Sequence, residues 1–176
     1  MPITAEQLAG LTAGLHAEAE KQFRANGKVV PALWFISDGT ARLVAMPQGV
    51  IDRAQTAEIA RTDRPSAIVL TGEFWLGSVT IPATTAAGMP LADIPRPSEQ
   101  PDRREAIATR GIGRGPDGGL LHTTRTTLIL RSVFGTQLEP FEIPPDADRD
   151  DDYGAFLASL LPGDTRKDDK KRRGRR

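Results

Sequence analysis

The segment from Ser66 to Val79 constrains the fold most, because it alternates like a β-strand and is largely apolar on both faces. One face carries Ile68, Leu70, Phe74 and Leu76, and the other carries Val69, Thr71, Glu73 and Trp75. Successive side chains of a strand point to opposite faces. A strand with two apolar faces belongs in the centre of a sheet, so the sequence predicts a sheet built around this segment.

The N-terminal residues predict a helix over about 4–25. Thr4 and Gln7 have the spacing of a capping box, in which the Thr4 side chain accepts from the Gln7 amide while Gln7 reaches back. Apolar residues then follow at helical spacing, namely Leu8, Leu11, Leu15, Ala19 and Phe23. Asn26-Gly27 is a typical helix end, because both residues tolerate a positive φ.

The rest of the body alternates strand and helix signals. A strand-forming run over 29–36 leads through the hairpin signal Ser37-Asp38-Gly39-Thr40 into a return strand over 41–46. A second helix is predicted over 50–62, and strands over 104–112 and 120–133 flank a glycine-rich hairpin loop. The order α-β-β-α-β-β-β predicts an α+β domain over 1–145, with a single, mostly antiparallel sheet and helices packed on it.

Charge separates two further segments. The chain has 23 Lys+Arg and 23 Asp+Glu, but residues 146–163 contain five Asp and one Arg, whereas residues 164–176 contain eight Lys+Arg and three Asp. The first is interpreted as an acidic linker with a short amphipathic helix, which could dock on the body or on a partner. Its apolar residues are Tyr153, Phe156, Leu157, Leu160 and Leu161. The second has the composition of a disordered basic tail.

Composition excludes several classes of site. Without cysteine there is no disulfide, thiolate zinc site or cysteine nucleophile, and two histidines cannot form a histidine-rich metal site. No run approaches the ~18 apolar residues that span a bilayer, so no membrane partner is expected. Residues 1–6 lack the features of a secretory signal, so we expect a cytoplasmic protein. The excess of Arg over Lys, 18 against 5, is typical of a GC-rich bacterial or phage gene.

A proline-rich stretch over 81–101 follows the central strand, and loops of this length are usually functional or disordered. It leads into Arg96-Pro97-Ser98-Glu99-Gln100-Pro101-Asp102-Arg103-Arg104-Glu105. Together with Glu73-Phe74-Trp75, this stretch resembles small uncharacterised bacterial and phage proteins with an E-x-W strand end and an R-P-S-x-x-P-D-R-x-E segment. The resemblance covers about 47–115 and implies no activity. The matching residues are Glu73, Trp75, Arg96, Pro97, Ser98, Pro101, Asp102, Arg103 and Glu105.

Three carboxylates of this segment, Glu73, Asp102 and Glu105, are predicted to converge near an arginine if their strands pair. One interpretation is a Mg²⁺ or Mn²⁺ site, because these cations prefer carboxylate oxygens. The favoured interpretation is an arginine–carboxylate cluster that pins the long loop to the sheet. The metal alternative is weakened because Ile107 stands where nuclease-type sites typically carry a lysine. The candidate binding residues are Trp75, Arg96, Ser98, Asp102, Arg103 and Glu105.

Other motifs favour structural roles. The glycines at 111, 113 and 115 lead into a strand rather than a helix, so they indicate a hairpin instead of a phosphate loop. His16 is expected to face solvent beside Leu15 on the first helix, and His122 begins a threonine-rich strand. We therefore expect no Ser/His catalytic arrangement.

The basic tail is the remaining candidate site. Its cations can neutralise phosphates without reading sequence, and no aromatic residue between them indicates base stacking. The predicted nucleic-acid ligands are Lys167, Lys170, Lys171, Arg172, Arg173, Arg175 and Arg176. An acidic protein is a second possible partner, and a solvated solubility tail is the alternative to any binding role.

Three functional hypotheses follow. The first is a non-enzymatic accessory or binding protein, of phage or plasmid origin and without a cofactor, whose tail binds nucleic acid. The second is a metal-dependent hydrolase that uses Glu73, Asp102 and Glu105 with Mg²⁺ or Mn²⁺. The third is a self-assembling or virion-associated protein that uses an exposed strand edge and the 153–161 segment.

Overall fold

The computed structural model describes residues 2–44, 46, 51–76, 97–99, 101–143 and 152–163. Its helices are α1 (Ala5–Asn26), α2 (Arg53–Asp63) and α3 (Asp152–Leu160), with a 3-10 turn at Pro97–Glu99. Its strands are β1 (Ala32–Ser37), β2 (Thr40–Val44), β3 (Ala67–Leu76), β4 (Arg104–Arg114), β5 (Leu120–Ser132) and β6 (Gly135–Phe141).

The strands form one antiparallel sheet in the order β2-β1-β3-β4-β5-β6. The α+β class is therefore confirmed, and so is the central position of the strand that contains Ile68 and Val69, both fully buried. Strand β6 was not predicted. Six of its seven residues are exposed and it contains Pro140, so its sequence lacks the apolar alternation that marks a strand.

Local signals explain where the first elements begin and end. The Thr4 side chain accepts from the Gln7 amide at 3.1 Å and the Gln7 side chain accepts from the Thr4 amide at 2.9 Å, which confirms the capping box. Helix α1 ends at Gly27, whose φ is 69°. Between β1 and β2, Asp38 and Gly39 both have positive φ, as a tight two-residue hairpin requires.

Helix α1 covers one face of the sheet and packs on β3, β4 and β5. The close approach requires Gly111, because a Cβ there would lie 2.3 Å from Thr12 Oγ1. The glycines inside β4 therefore allow α1 to pack closely on the strand, and Gly115 belongs to the turn that follows. This agrees with the hairpin interpretation.

The prediction that His16 faces solvent is wrong. The buried side chains of α1 are Leu8, Thr12, His16, Ala19 and Phe23, so the stripe on the sheet includes two polar residues. Leu11 and Leu15, which the apolar pattern favoured, are only partly buried. His16 is tolerated in the interior because threonine hydroxyls of the sheet satisfy both of its ring nitrogens.

Helices α2 and α3 pack on the opposite face of the sheet. Leu157, Leu160 and Leu161 of the C-terminal helical segment are 0%, 7% and 4% exposed and join the core that contains Leu33 and Phe35. The 153–161 segment therefore docks on the body, and its buried leucines cannot also form the assembly surface of the third hypothesis. No helix within the described ranges combines the length and the hydropathy that crossing a membrane requires.

Candidate functional site

The register between β3 and β4 places Glu73 and Trp75, at the end of β3, beside the beginning of β4. Trp75 lies directly opposite Glu105, and Glu73 lies opposite Ile107, so Glu73, Trp75 and Glu105 share one face of the sheet. It is the same face that α1 covers, beyond the C-terminal end of that helix.

Glu105 is held by Arg131 of β5. The guanidinium donates from Nε to Oε2 at 2.6 Å and from Nη2 to Oε1 at 2.8 Å, which is a bidentate pair. The Arg131 hydrogen bonds are the largest cause that lowers the pKa of Glu105, and a hydrogen bond with Glu73 adds to it. Both carboxylate oxygens of Glu105 are therefore engaged by a permanent cation.

Glu73 and Arg131 also connect this cluster to the end of α1. The Glu73 carboxylate accepts the backbone N–H of Val29. The Arg131 guanidinium lies 5.6 Å from the centroid of the Phe23 ring, a cation–π distance. Sequence reasoning predicted an arginine here but did not identify Arg131, because only the strand register shows which β5 side chain reaches Glu105.

Arg103 connects the sheet to the end of the long loop. Its guanidinium lies 5.6 Å from the Trp75 ring centroid, and its Nη1 donates to the backbone oxygen of Ser98 at 3.2 Å. Arg103 thus contacts both Trp75 of β3 and the backbone of Ser98. Arg96 lies outside the described residues.

The three predicted metal ligands do not form a metal centre. Asp102 is exposed in the turn before β4, outside the strand register that pairs Trp75 with Glu105. Among the residues that the structure describes, no group of three or more His, Cys, Asp or Glu side chains is arranged to hold a metal ion. Glu105 directs its oxygens to Arg131 rather than toward a shared cation.

A second polar cluster lies beneath α1 and was missed from the sequence. His16 Nε2 is 2.9 Å from Thr127 Oγ1, and His16 Nδ1 is 3.1 Å from Thr109 Oγ1. Thr109 is fully buried, Thr127 is 2% exposed and His16 is 8% exposed. We refer to His16, Thr71, Thr109, Thr127 and Glu20 as the buried histidine network.

Glu20 determines which ring nitrogen of His16 carries a proton. A carboxylate only accepts, so the Thr127 hydroxyl donates to Glu20 Oε1 at 2.6 Å and must accept the proton on His16 Nε2. The Thr127–Glu20 bond thus requires a proton on Nε2. In the neutral imidazole, which the lowered pKa of His16 favours, Nδ1 accepts from Thr109, and Thr109 accepts from Thr71 at 2.6 Å.

Burial and charge agree with this assignment. Burial lowers the pKa of His16 and the charge of Arg125 adds to the lowering, although Glu20 acts against both. For Glu20, burial raises the pKa, but the hydrogen bonds from Thr127 and Arg24 outweigh it and the net direction is down. The network therefore holds a neutral histidine beside an ionised glutamate, with both ring nitrogens already used.

His122 is exposed on β5, opposite Ile112 of β4. The predicted nucleic-acid ligands at 167–176 lie outside the described residues. Comparison of the chain with protein-family models, with curated proteins and with solved structures found no match. The resemblance to small bacterial and phage proteins thus stays a prediction from the motif.

Proposed function

We propose that this chain is a cytoplasmic, non-enzymatic binding protein that captures nucleic acid through its basic segment, 164–176, held on a rigid α+β body. The observation that carries the proposal is charge segregation directly after an anchored helix. Eight of the last 13 residues are Lys or Arg, and only three are Asp.

The body supplies a fixed attachment point for this segment. Leu157 is fully buried and Leu161 is 4% exposed, so the chain is held in the core until shortly before residue 164. Arg53 of α2 stacks on Phe156 at 4.9 Å and adds a second contact between the two helices. A cationic segment tethered to a folded body is an arrangement suited to sequence-independent contact with phosphates.

Two of the side chains with catalytic potential, His16 and Glu105, are held in structural contacts. Both ring nitrogens of His16 and both carboxylate oxygens of Glu105 are engaged by protein groups. These contacts favour a binding role over an acid–base role. No specific observation favours the hydrolase hypothesis over it.

The proposal is tested by measuring duplex DNA affinity by fluorescence anisotropy at fixed, low salt. The double variant Arg172→Gln/Arg173→Gln should weaken binding several-fold, because each cation that contacts a phosphate releases a counterion on binding. The matched control Arg24→Gln/Arg61→Gln removes the same charge from exposed sites on the body.

The control should leave the affinity within about two-fold of the unmodified chain, because its charges lie outside the proposed contact. Equal losses of affinity in the two double variants would show that only the net charge of the chain matters. That result would reject residues 164–176 as the binding element.

A further inference from the structure

The β5–β6 hairpin exposes apolar side chains that the proposed function does not use. Val133 and Phe134 at its tip are 95% and 97% exposed, and Leu130 and Phe141 on its strands are 38% and 37% exposed. In the described sheet β6 is an edge strand. An apolar patch beside a free strand edge is a typical interaction surface.

The backbone groups that β6 presents to its free edge follow from the sheet registers. The Gly115 N–H donates to the Gly119 oxygen at 2.8 Å, so odd-numbered residues at the end of β4 point toward β5. The registers across β5 and β6 are unbroken, and strand residues alternate in direction. Thr136, Leu138 and Pro140 therefore direct their backbone groups outward, which explains why a proline is tolerated here.

We propose that two copies of this chain pair antiparallel along β6, centred on Leu138, so that the sheet continues from one copy into the other. Leu138 then lies opposite Leu138 of the second copy and exchanges both backbone hydrogen bonds with it. The Thr136 N–H of each copy donates to the Pro140 oxygen of the other. The missing N–H of Pro140 removes a donor only at the end of this ladder.

This register is self-complementary in its side chains. Phe141 lies opposite Gly135 of the second copy, whose φ is 128° and whose missing side chain leaves room for the ring. Phe134, next in sequence to that glycine at the exposed tip of the hairpin, lies at the end of the same contact. Gln137 lies opposite Glu139, so no like charges face each other. The neighbouring register, centred on Glu139, would oppose two carboxylates.

The size of the contact predicts a reversible dimer. An aromatic side chain buries roughly 150–250 Å², and each copy contributes Phe134, Val133 and part of Phe141. The total, about 400–600 Å² per copy, is below the roughly 800 Å² of a standard stable interface. We therefore expect a dissociation constant on the order of micromolar.

Sedimentation velocity of the full chain over a range of concentrations tests the dimer. The unmodified chain should shift from monomer to dimer as concentration rises, and Phe134→Asp should remain monomeric. Leu43→Asp is the matched control, because Leu43 is 54% exposed on β2, the opposite edge strand. A monomer at every concentration, or equal effects of the two variants, would overturn the proposal.

Disulfide cross-linking tests the register itself, since the natural chain has no cysteine. Residues 137 and 139 of opposite copies form a non-hydrogen-bonded pair about 4.5 Å apart at Cα, within the span of a disulfide. A mixture of Gln137→Cys and Glu139→Cys chains should cross-link efficiently, and either variant alone should not. Equal cross-linking in the single-variant samples would reject the centred register.

Introducing a positive or a negative charge at residue 137 should change the dissociation constant of the dimer in opposite directions. Gln137→Lys places a cation opposite Glu139 of the second copy and should tighten the dimer, whereas Gln137→Glu should weaken it. Two symmetric pairs predict a change in the dissociation constant of about two- to thirty-fold in each direction. Shifts in the same direction would contradict the pairing.

Lipid binding gives a competing outcome. If Phe134 instead inserts into a membrane, the chain should bind neutral phosphatidylcholine vesicles and lose that binding in Phe134→Asp, which would overturn the dimer proposal. A chain with residues 164–176 deleted should dimerise as well as the full chain, so failure of the dimer and failure of nucleic-acid binding are distinguishable.

Discussion

Replacing Thr127 by valine should destabilise the fold far more than the same replacement at its neighbour, Thr126. Thr127 accepts from the buried Nε2–H of His16 and donates to Glu20. Thr126 is also buried, on the other face of β5, but its hydroxyl has no hydrogen-bond partner among the described residues. The two substitutions are identical in shape and differ only in the hydrogen bonds they remove.

The magnitude follows from the groups left without partners. Thr127→Val leaves the buried imidazole N–H unsatisfied, at about 1–3 kcal/mol, and removes a hydrogen bond to a charged group worth about 1.5–3 kcal/mol. Glu20 is partly exposed and regains some solvation, so a net loss of about 2–4 kcal/mol is expected. Thr126→Val removes a buried hydroxyl that is not hydrogen-bonded, so its effect should lie between zero and about 1 kcal/mol of stabilisation.

Urea unfolding at neutral pH, followed by far-UV circular dichroism and tryptophan fluorescence, measures both variants. The unfolding midpoint should fall strongly for Thr127→Val and should hold or rise for Thr126→Val, with unchanged slopes. Similar losses for the two variants would refute the assignment of the buried histidine network.

Three further predictions concern pH, packing and metal. Because the pKa of His16 is lowered in the folded state, the unfolded chain takes up the proton at higher pH than the folded chain. The free energy of unfolding should therefore be full above pH about 6.5 and fall below it. A His16→Gln variant should lose this pH dependence, and an unchanged dependence would contradict the network. In thermal unfolding, Gly111→Ala should cost about 1–3 kcal/mol of stability, because its Cβ would meet α1. The control Gly14→Ala, whose Cβ would have nothing within 4 Å, should stabilise the fold. Equal effects of the two variants would reject the close approach of α1 to β4. Calorimetry with Mn²⁺ should show no heat that depends on Glu105, since Arg131 occupies its oxygens; a signal lost in Glu105→Gln would revive the metal hypothesis.

Elements with local signals could be predicted from the sequence. The capping box at Thr4, the Asp38-Gly39 turn and the two apolar faces of β3 each determine a feature through residues that are close in sequence. Each of these signals acts within a few residues, so it can be recognised without knowing the tertiary structure.

Features that depend on distant partners could not be predicted. His16 is buried because Thr109 and Thr127 lie beneath it, at sequence separations of 93 and 111 residues. The arginine that binds Glu105 could be identified only from the β4–β5 register, which places Arg131 within reach of the Glu105 carboxylate. Within the described sheet, strand β6 has β5 as its single neighbour and exposes most of its side chains, so neither burial nor composition marks it.

The salt dependence of duplex DNA affinity tests the proposed function most directly. For the full chain, a plot of log affinity against log salt concentration should be linear with a slope of about −4 to −7, as expected for a segment with eight cations partly offset by three aspartates. Deleting 164–176 should abolish measurable binding while leaving the folded body intact. Binding that survives the deletion, or a slope near zero for the full chain, would contradict the proposal.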